Sequence, residues 1–252
     1  MQYISDIHLE FLHIEEVKSV IRKIIPVAPI LILAGDIGNP FSGNSHYRLF
    51  LEEMGKKFEK VFVIAGNHEY YGGKDMTDVE VKIKEIVKEI SDTNERSNIT
   101  YLQNSYEEYN GVRWIGTTLW SRLDNPSKQI NDVYSIKAMN TERYNELHYL
   151  AVENLEKMLE ESSLPTIVIT HHMPSYSLID PMYNDELYNM WFASDLDNIV
   201  ERYKEKIKYW IYGHTHTSNQ SELHGVMMLC NPIGYKGENP GKNYKACVSL
   251  NL

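Results

Sequence analysis

The sequence has no apolar run approaching the roughly 20 residues that cross a bilayer, so no membrane-spanning helix is expected. It has two cysteines, Cys230 and Cys247, too few for a disulfide framework. A reducing, cytoplasmic setting is therefore expected, with Cys230 as a small buried hydrophobe. The N-terminal stretch MQYISDIHLE has neither a basic region nor an apolar core, so it does not read as a signal peptide. Acidic residues outnumber basic ones, 35 to 25, and the formal net charge is −10. That weighs against non-specific nucleic-acid binding, which relies on Lys and Arg neutralising phosphates, although bound divalent cations would invert the local charge. No internal repeat and no low-complexity linker breaks the chain, and 252 residues suit one domain spanning 1–252.

What is present is a repeated unit, a short apolar run followed by a polar cluster. Gln2 to Ser5 leads into Asp6-Ile7-His8, and Ile30 to Ala34 leads into Gly35-Asp36. Val61 to Ala65 leads into Gly66-Asn67-His68-Glu69. Thr166 to Thr170 leads into His171-His172, and Lys208 to Tyr212 leads into Gly213-His214-Thr215-His216. These runs, rich in β-branched and aromatic residues, read as buried strands. Helical periodicity lies between them: from Ile14 to Ile24, from Asn44 to Lys57, behind a capping box at Thr77 to Glu80, and from Leu147 to Leu159. A last helix is expected after a cap at Ser194 to Asp197. Strands alternating with helices predict an α/β fold. Val112 to Ile115, Val226 to Leu229 and Ala246 to Leu250 have little helix between them and read as antiparallel additions. The stretch from Gly116 to Asn140 has no period and is long for a plain loop.

Ligands in open α/β sheets bind beyond the carboxyl ends of the strands. Six of the ten histidines sit there: His8, His68, His171, His172, His214 and His216. Asp, His and Asn together make a mixed oxygen and nitrogen set, suited to Mn, Fe or Zn rather than to thiolate-preferring metals. Asp6 with His8, and His214 with His216, are expected to point the same way because strand side chains repeat every second residue. Asp6, His8, Asp36, Asn67, His171, His214 and His216 are too many ligands for one metal. Two divalent or trivalent transition-metal ions sharing Asp36 fit the count, with manganese expected ahead of iron or zinc. Two such ions clamp a phosphoryl group and activate water for in-line attack, so a bridging hydroxide is the expected nucleophile. His68 is the expected general acid or transition-state stabiliser.

Taken in order, D-x-H (Asp6, His8), G-D (Asp36), G-N-H-E (Asn67, His68), the strand-end His171 and G-H-x-H (His214, His216) resemble the motif set of the calcineurin-like metallophosphoesterase superfamily. The resemblance covers nearly the whole chain. It implies a four-layer sandwich of two mixed β-sheets flanked by helices. It also implies one metal held by Asp6, His8 and His216 and another by Asn67, His171 and His214, with Asp36 shared and His68 as the acid. The segments Thr170-His171-His172-Met173-Pro174-Ser175 and Cys230-Asn231-Pro232-Ile233-Gly234-Tyr235 look like a widespread bacterial branch of the superfamily, in which a basic residue is common where Ile233 stands. The protein Ser/Thr phosphatases carry G-D-x-V-D-R-G, whereas this chain reads Gly35-Asp36-Ile37-Gly38-Asn39-Pro40; the missing Arg argues against that class.

The expected activity is metal-dependent hydrolysis of a small phosphomonoester or phosphodiester, nucleotides included. A DNA or RNA nuclease and a non-catalytic scaffold for protein contacts are the alternatives within the same superfamily. His172, Trp120, Arg122, Asn131 and Tyr235 are the candidates for supporting the ligands or reaching the substrate.

Overall fold

The computed structural model describes residues 1–42, 46–93, 98–126, 128–183 and 186–238. The expected strand at Ala246 to Leu250 and the first residues of the helix expected from Asn44 lie outside them. The continuous apolar runs form two sheets among the described residues. Strands β1 (Gln2–Ile4), β2 (Ile30–Ala34), β3 (Lys60–Ile64) and β4 (Ile99–Tyr101) make a four-stranded sheet in that order, each pair parallel. Strands β5 (Ser105–Tyr109), β6 (Val112–Thr117), β7 (Thr166–Thr170), β8 (Ile207–Tyr212), β10 (Val226–Cys230) and β9 (Asn219–Leu223) make a six-stranded sheet in that order.

The second sheet is mixed, but not in the way the apolar runs predict. Strands β6 and β10 run parallel to β7 and β8. The antiparallel partners are β5 and β9, at the two edges. Their sequences, SYEEY and NQSEL, alternate between half-buried and exposed residues and hold no apolar run.

Period-two alternation sorts the strand residues between three cores. Ile30, Ile32 and Ala34 of β2 meet Trp114, Ile167, Ile169, Ile211 and Leu229 between the sheets. Leu31 and Leu33 face the opposite way. There they pack with Val17 and Ile21 of α1 (Ile14–Lys23), Phe50 and Leu51 of α2 (His46–Lys57), and Val79 and Ile83 of α3 (Met76–Thr93). On the outer face of the second sheet, Val168, Trp210 and Met228 pack with Leu155 of α5 (Thr141–Glu160) and Val200 of α7 (Asp197–Tyr203). Two short helices, α4 (Asn131–Ser135) and α6 (Glu186–Asn189), sit in connections. The result is the four-layer α/β sandwich, but with one all-parallel and one mixed sheet among the described residues where two mixed sheets are expected. No helix among the described residues is long and apolar enough to cross a membrane.

Two expected helix starts are corrected. Helix α3 begins at Met76, so Thr77 falls inside its first turn, and the Val79 N–H donates to the Asp75 carbonyl at 3.1 Å. Helix α7 begins after Leu196 with no side-chain cap; the Ser194 hydroxyl instead accepts from the Arg122 N–H at 3.0 Å.

Trp114 is the largest side chain between the sheets and is fully buried, its ring stacked on Phe62 at 4.6 Å. Trp114→Ala should cost about 3–5 kcal/mol of stability through lost burial and the cavity left behind. Urea unfolding of parent and variant measures it, and a loss under about 1 kcal/mol would contradict a tight core between the sheets.

Candidate metal centre

The carboxyl ends of β1, β2, β3, β7, β8 and β10 meet along one rim of the sandwich. Backbone hydrogen bonds lace the segments that leave them. Asp6 N donates to Gly35 O at 3.0 Å and Ile7 N to Asp36 O at 2.8 Å. Gly213 N donates to His171 O at 3.0 Å, and Gly234 N to Asp6 O at 2.9 Å. The sheets are thus tied at the place where the polar clusters emerge.

The local conformation differs from a strand end. Strand β1 stops at Ile4, and Asp6 and His8 both adopt left-handed backbone, with φ 53° and 52°. Asp36 (52°), His214 (68°) and His216 (50°) do the same. Left-handed backbone is uncommon for any residue with a Cβ and persists where the surroundings impose it, so its concentration at five polar residues of one rim points to a functional site. The shared direction of Asp6 and His8 therefore comes from alternating left-handed turns. Gly66 allows the closest approach: a Cβ there would overlap the Asp36 carboxylate and lie 2.7 Å from the His171 ring.

Three groups of side chains have their donor atoms within 4.8 Å of one another: Asp6, His8 and His216; His8, Asp36 and His68; and Asp36, His171 and His214. Asp36 joins the second and third, and His8 joins the first and second. Within them, His8 Nε2 lies 3.0 Å from His216 Nε2 and 3.8 Å from Asp36 Oδ2. His216 Nε2 lies 3.5 Å from Asp6 Oδ1, and His171 Nε2 lies 3.3 Å from Asp36 Oδ2. Asn67 Oδ1 lies 3.0 Å from His171 Nε2, which adds the amide to the third group.

The donor set fits metal. Two imidazole nitrogens 3.0 Å apart have the separation of neighbouring ligands on one ion at roughly 2.0–2.1 Å. His214 Nε2 is buried and has no hydrogen-bond partner, an arrangement that is costly for a polar atom unless something binds it. Burial, then the neighbouring His172 and His171, hold the His214 imidazole well below its usual range, so it is neutral with a lone pair to offer. Burial alone would raise the Asp36 carboxyl, yet His171, His68 and His8 hold it well below the usual carboxylate range.

A surrounding set of contacts fixes these ligands. His171 Nδ1 faces the Ala34 carbonyl at 2.9 Å, which orients Nε2 toward Asp36. The buried Glu69 carboxylate accepts from the backbone of Asp36 (3.0 Å), Ile37 (2.8 Å), Gly38 (3.3 Å) and Gly66 (2.7 Å), binding the turn after β2 to the turn after β3. Glu10 faces His8 Nδ1 at 3.2 Å and His68 Nδ1 at 2.9 Å. Glu238 faces His216 Nδ1 at 2.7 Å.

The buried Asp132 carboxylate accepts from Asn67 Nδ2 at 2.7 Å, from the Tyr71 hydroxyl at 2.5 Å and from the Tyr144 hydroxyl at 3.2 Å. The first of these turns Asn67 Oδ1 toward His171. The sequence alone gives no role to Glu10 or to Asp132, although the Asn131-Asp132 pair resembles the same branch of the superfamily. Glu10 continues the alternation of Asp6 and His8, a signal that could have found it. Asp132 sits in the aperiodic 116–140 stretch, where only the fold shows its reach.

The other candidates divide. His172 is buried, with Nδ1 3.2 Å from Thr118 O and Nε2 2.9 Å from the Tyr144 hydroxyl. Burial, then the charge of His171, pushes it down to about 3, so it is a neutral packing partner of His214. Asn131 and Tyr235 line a cavity of about 700 Å³ whose floor holds Asp36, Asn67, His68, His214 and His216. The Tyr235 hydroxyl lies 2.9 Å from His68 Nε2. Trp120 and Arg122 are not among the residues lining that cavity. Left-handed backbone at Leu119 and Trp120 turns the indole inward, against Tyr70, Tyr144 and His172. Arg122 is exposed and pairs with Asp124 at 3.0 Å.

Comparison with known proteins fits this geometry. The family model for calcineurin-like phosphoesterases matches residues 3–218, which include every candidate ligand. The chain belongs to the calcineurin-like phosphoesterase family. A protein of Acanthamoeba polyphaga mimivirus described as uncharacterised is 28% identical, over 99% of this chain and 96% of its own length. Among solved structures, the phosphopantetheinyl hydrolase of Mycobacterium tuberculosis matches with a TM-score of 0.71 at 19% identity, covering 92% of this chain and 88% of that one. A dimetal phosphatase from Danio rerio matches with a TM-score of 0.53 at 12% identity, covering 95% and 88%. These likenesses show that the calcineurin-like phosphoesterase shares its fold with both.

Proposed function

We propose that the chain hydrolyses a small phosphomonoester or phosphodiester at a centre of two transition-metal ions. One ion would be held by Asp6, His8 and His216, the other by Asn67, His171 and His214, with Asp36 between them. The observation that carries this reading is the run of ligand groups linked through His8 and Asp36 on a cavity floor, ending at the partnerless His214 Nε2. When bound, two such ions supply positive charge for a phosphoryl group and lower the pKa of water at neutral pH. The nitrogen and oxygen donors suit manganese first, then iron or zinc.

The chain's own residues supply the rest. Water oxygen bonds to phosphorus, the ester P–O bond breaks, and the leaving oxygen needs a proton. His68 is placed to give it. Its Nε2 reaches the cavity beside the Tyr235 hydroxyl, and its Nδ1 is held by Glu10. Burial works against a proton on this ring, while the Asp36 and Glu10 carboxylates favour one and raise it to about 9. Tyr71 stacks on the imidazole at 4.1 Å and fixes its plane.

Asp132, at the cavity wall, positions Asn67 by accepting from its Nδ2 at 2.7 Å. Asp132→Ala should lower the affinity for the ion at Asn67 by about 10–100-fold, the usual cost of removing a partner behind a metal ligand. Metal titration followed by activity checks it, because excess metal should restore turnover; a loss that metal does not rescue would mean that Asp132 is merely structural. Parallel assays with metal-loaded protein on a phosphomonoester, a phosphodiester and single-stranded DNA test the function itself. Cleavage of a small ester is expected. Salt-sensitive cleavage of DNA alone would favour a nuclease, and no cleavage would favour a scaffold.

A further inference from the structure

The cavity of about 700 Å³ is far larger than one phosphoryl group needs, so most of it must receive the rest of the substrate. One wall is mainly apolar. The chain leaving β7 contributes Ile179, Met182, Tyr183, Tyr188 and Phe192. Phe192 stacks on the His214 ring at 4.7 Å, so the apolar wall begins directly at the metal centre. At the mouth, Met182 is 70% exposed and Tyr183 is 46% exposed, large apolar surface left to water.

Charge points the same way. Among the described residues that line the cavity there is no Lys or Arg; beyond the metal centre its polar lining includes the amides of Gln129, Asn131 and Asn189 and the acids Asp132 and Glu238. The two cations next in sequence to lining residues are engaged: the Lys128 ammonium lies over the Tyr188 ring at 4.5 Å, and Lys236 pairs with Glu16. The acid at the mouth is Glu238, which already accepts from the Tyr235 N–H at 2.9 Å. A second anionic group on the substrate would therefore enter a mainly apolar wall with no Lys or Arg among its lining residues, on a chain whose formal net charge is −10.

The wall is also fastened. The Trp191 indole N–H donates to the Lys128 carbonyl at 3.1 Å, joining this segment to the one that carries Asn131 and Asp132. Met173 N donates to Phe192 O at 3.0 Å and Ser194 N to Met173 O at 3.1 Å, closing the segment at its base. A pre-formed wall reduces the ordering cost of seating a ligand.

We propose that the substrate is an ester carrying a single phosphoryl group on an uncharged, predominantly apolar group that seats against Met182, Tyr183, Tyr188 and Phe192. The proposal rests on the phosphoesterase reading above. Substrates with further anionic groups, such as nucleoside triphosphates, sugar bisphosphates and nucleic-acid strands, are selected against.

The test compares kcat/KM of the metal-loaded full chain on phenyl phosphate, 1-naphthyl phosphate, glucose 1,6-bisphosphate and ATP. The larger ring of 1-naphthyl phosphate should gain about tenfold over phenyl phosphate, as an added apolar contact does in a fitted pocket. The bisphosphate and ATP should fall below both. Met182→Lys should shrink the ratio of 1-naphthyl phosphate to ATP by about tenfold. ATP or the bisphosphate matching 1-naphthyl phosphate, or an unchanged ratio in Met182→Lys, overturns the inference while leaving the phosphoesterase reading intact. Hydrolysis of none of the four overturns the inference, and the phosphoesterase reading falls with it only if the phosphodiester and the single-stranded DNA of the parallel assays are also left uncut.

Discussion

An Asp36→Asn chain should hydrolyse phosphoesters about a thousandfold more slowly than the parent, or worse, the scale of losing one electrostatic element of an active site. The reason is positional. Asp36 lies 3.3 Å from His171 and 3.8 Å from His8, so its carboxylate belongs to both halves of the centre. It also accepts from the His68 N–H at 2.9 Å, which an asparagine oxygen can still do, so the turn after β3 should survive. Asparagine keeps the shape and removes the charge that the two proposed cations would share. Steady-state kinetics, metal content and a thermal melt of both proteins check the result together. Parent-like turnover in the variant would rule out a shared carboxylate at this position.

His68→Asn should lower kcat by about 10²–10⁴-fold, the range for removing a positioned general acid. Metal content should stay at the parent level, since the proposed ligand sets do not include His68. The loss should depend on the leaving group. An alkyl ester, whose departing oxygen needs a proton, should suffer more than a nitrophenyl ester, whose oxygen leaves without one. An equal loss on both esters would reassign His68 to stabilising the phosphoryl group. Loss of metal would instead make it a ligand, as its proximity to His8 and Asp36 allows.

The sequence carried much of the fold because the central strands are buried on both faces. Ile30 to Ala34 and Val61 to Ile64 must be apolar throughout, which makes them visible as runs. Edge strands have no such need. SYEEY and NQSEL face solvent on alternate residues, so the antiparallel pairs were read onto β6 and β10. The caps at Thr77 and Ser194 fail for different reasons: α3 starts one residue earlier, so Thr77 falls inside its first turn, and the Ser194 hydroxyl is spent on the Arg122 N–H. The candidate ligands were legible because each follows a strand, and parallel strands deliver their carboxyl ends to one rim. Residues that support them are not marked in this way. Asp132 reaches Asn67 across 65 positions of sequence, and Trp120, although close in sequence to β6, is turned into the core by two left-handed residues. The direction of a side chain leaving an irregular segment depends on backbone angles that no periodicity reports.

Metal dependence is the central claim, and one measurement tests it most directly. The purified chain is stripped by chelation, dialysed, and titrated with manganese while bound metal and phosphoester hydrolysis are followed together. Activity should vanish on stripping and return as two ions per chain bind. Undiminished hydrolysis by the stripped chain, or tight binding of metal to Asp36→Asn with parent-like turnover, would contradict the account.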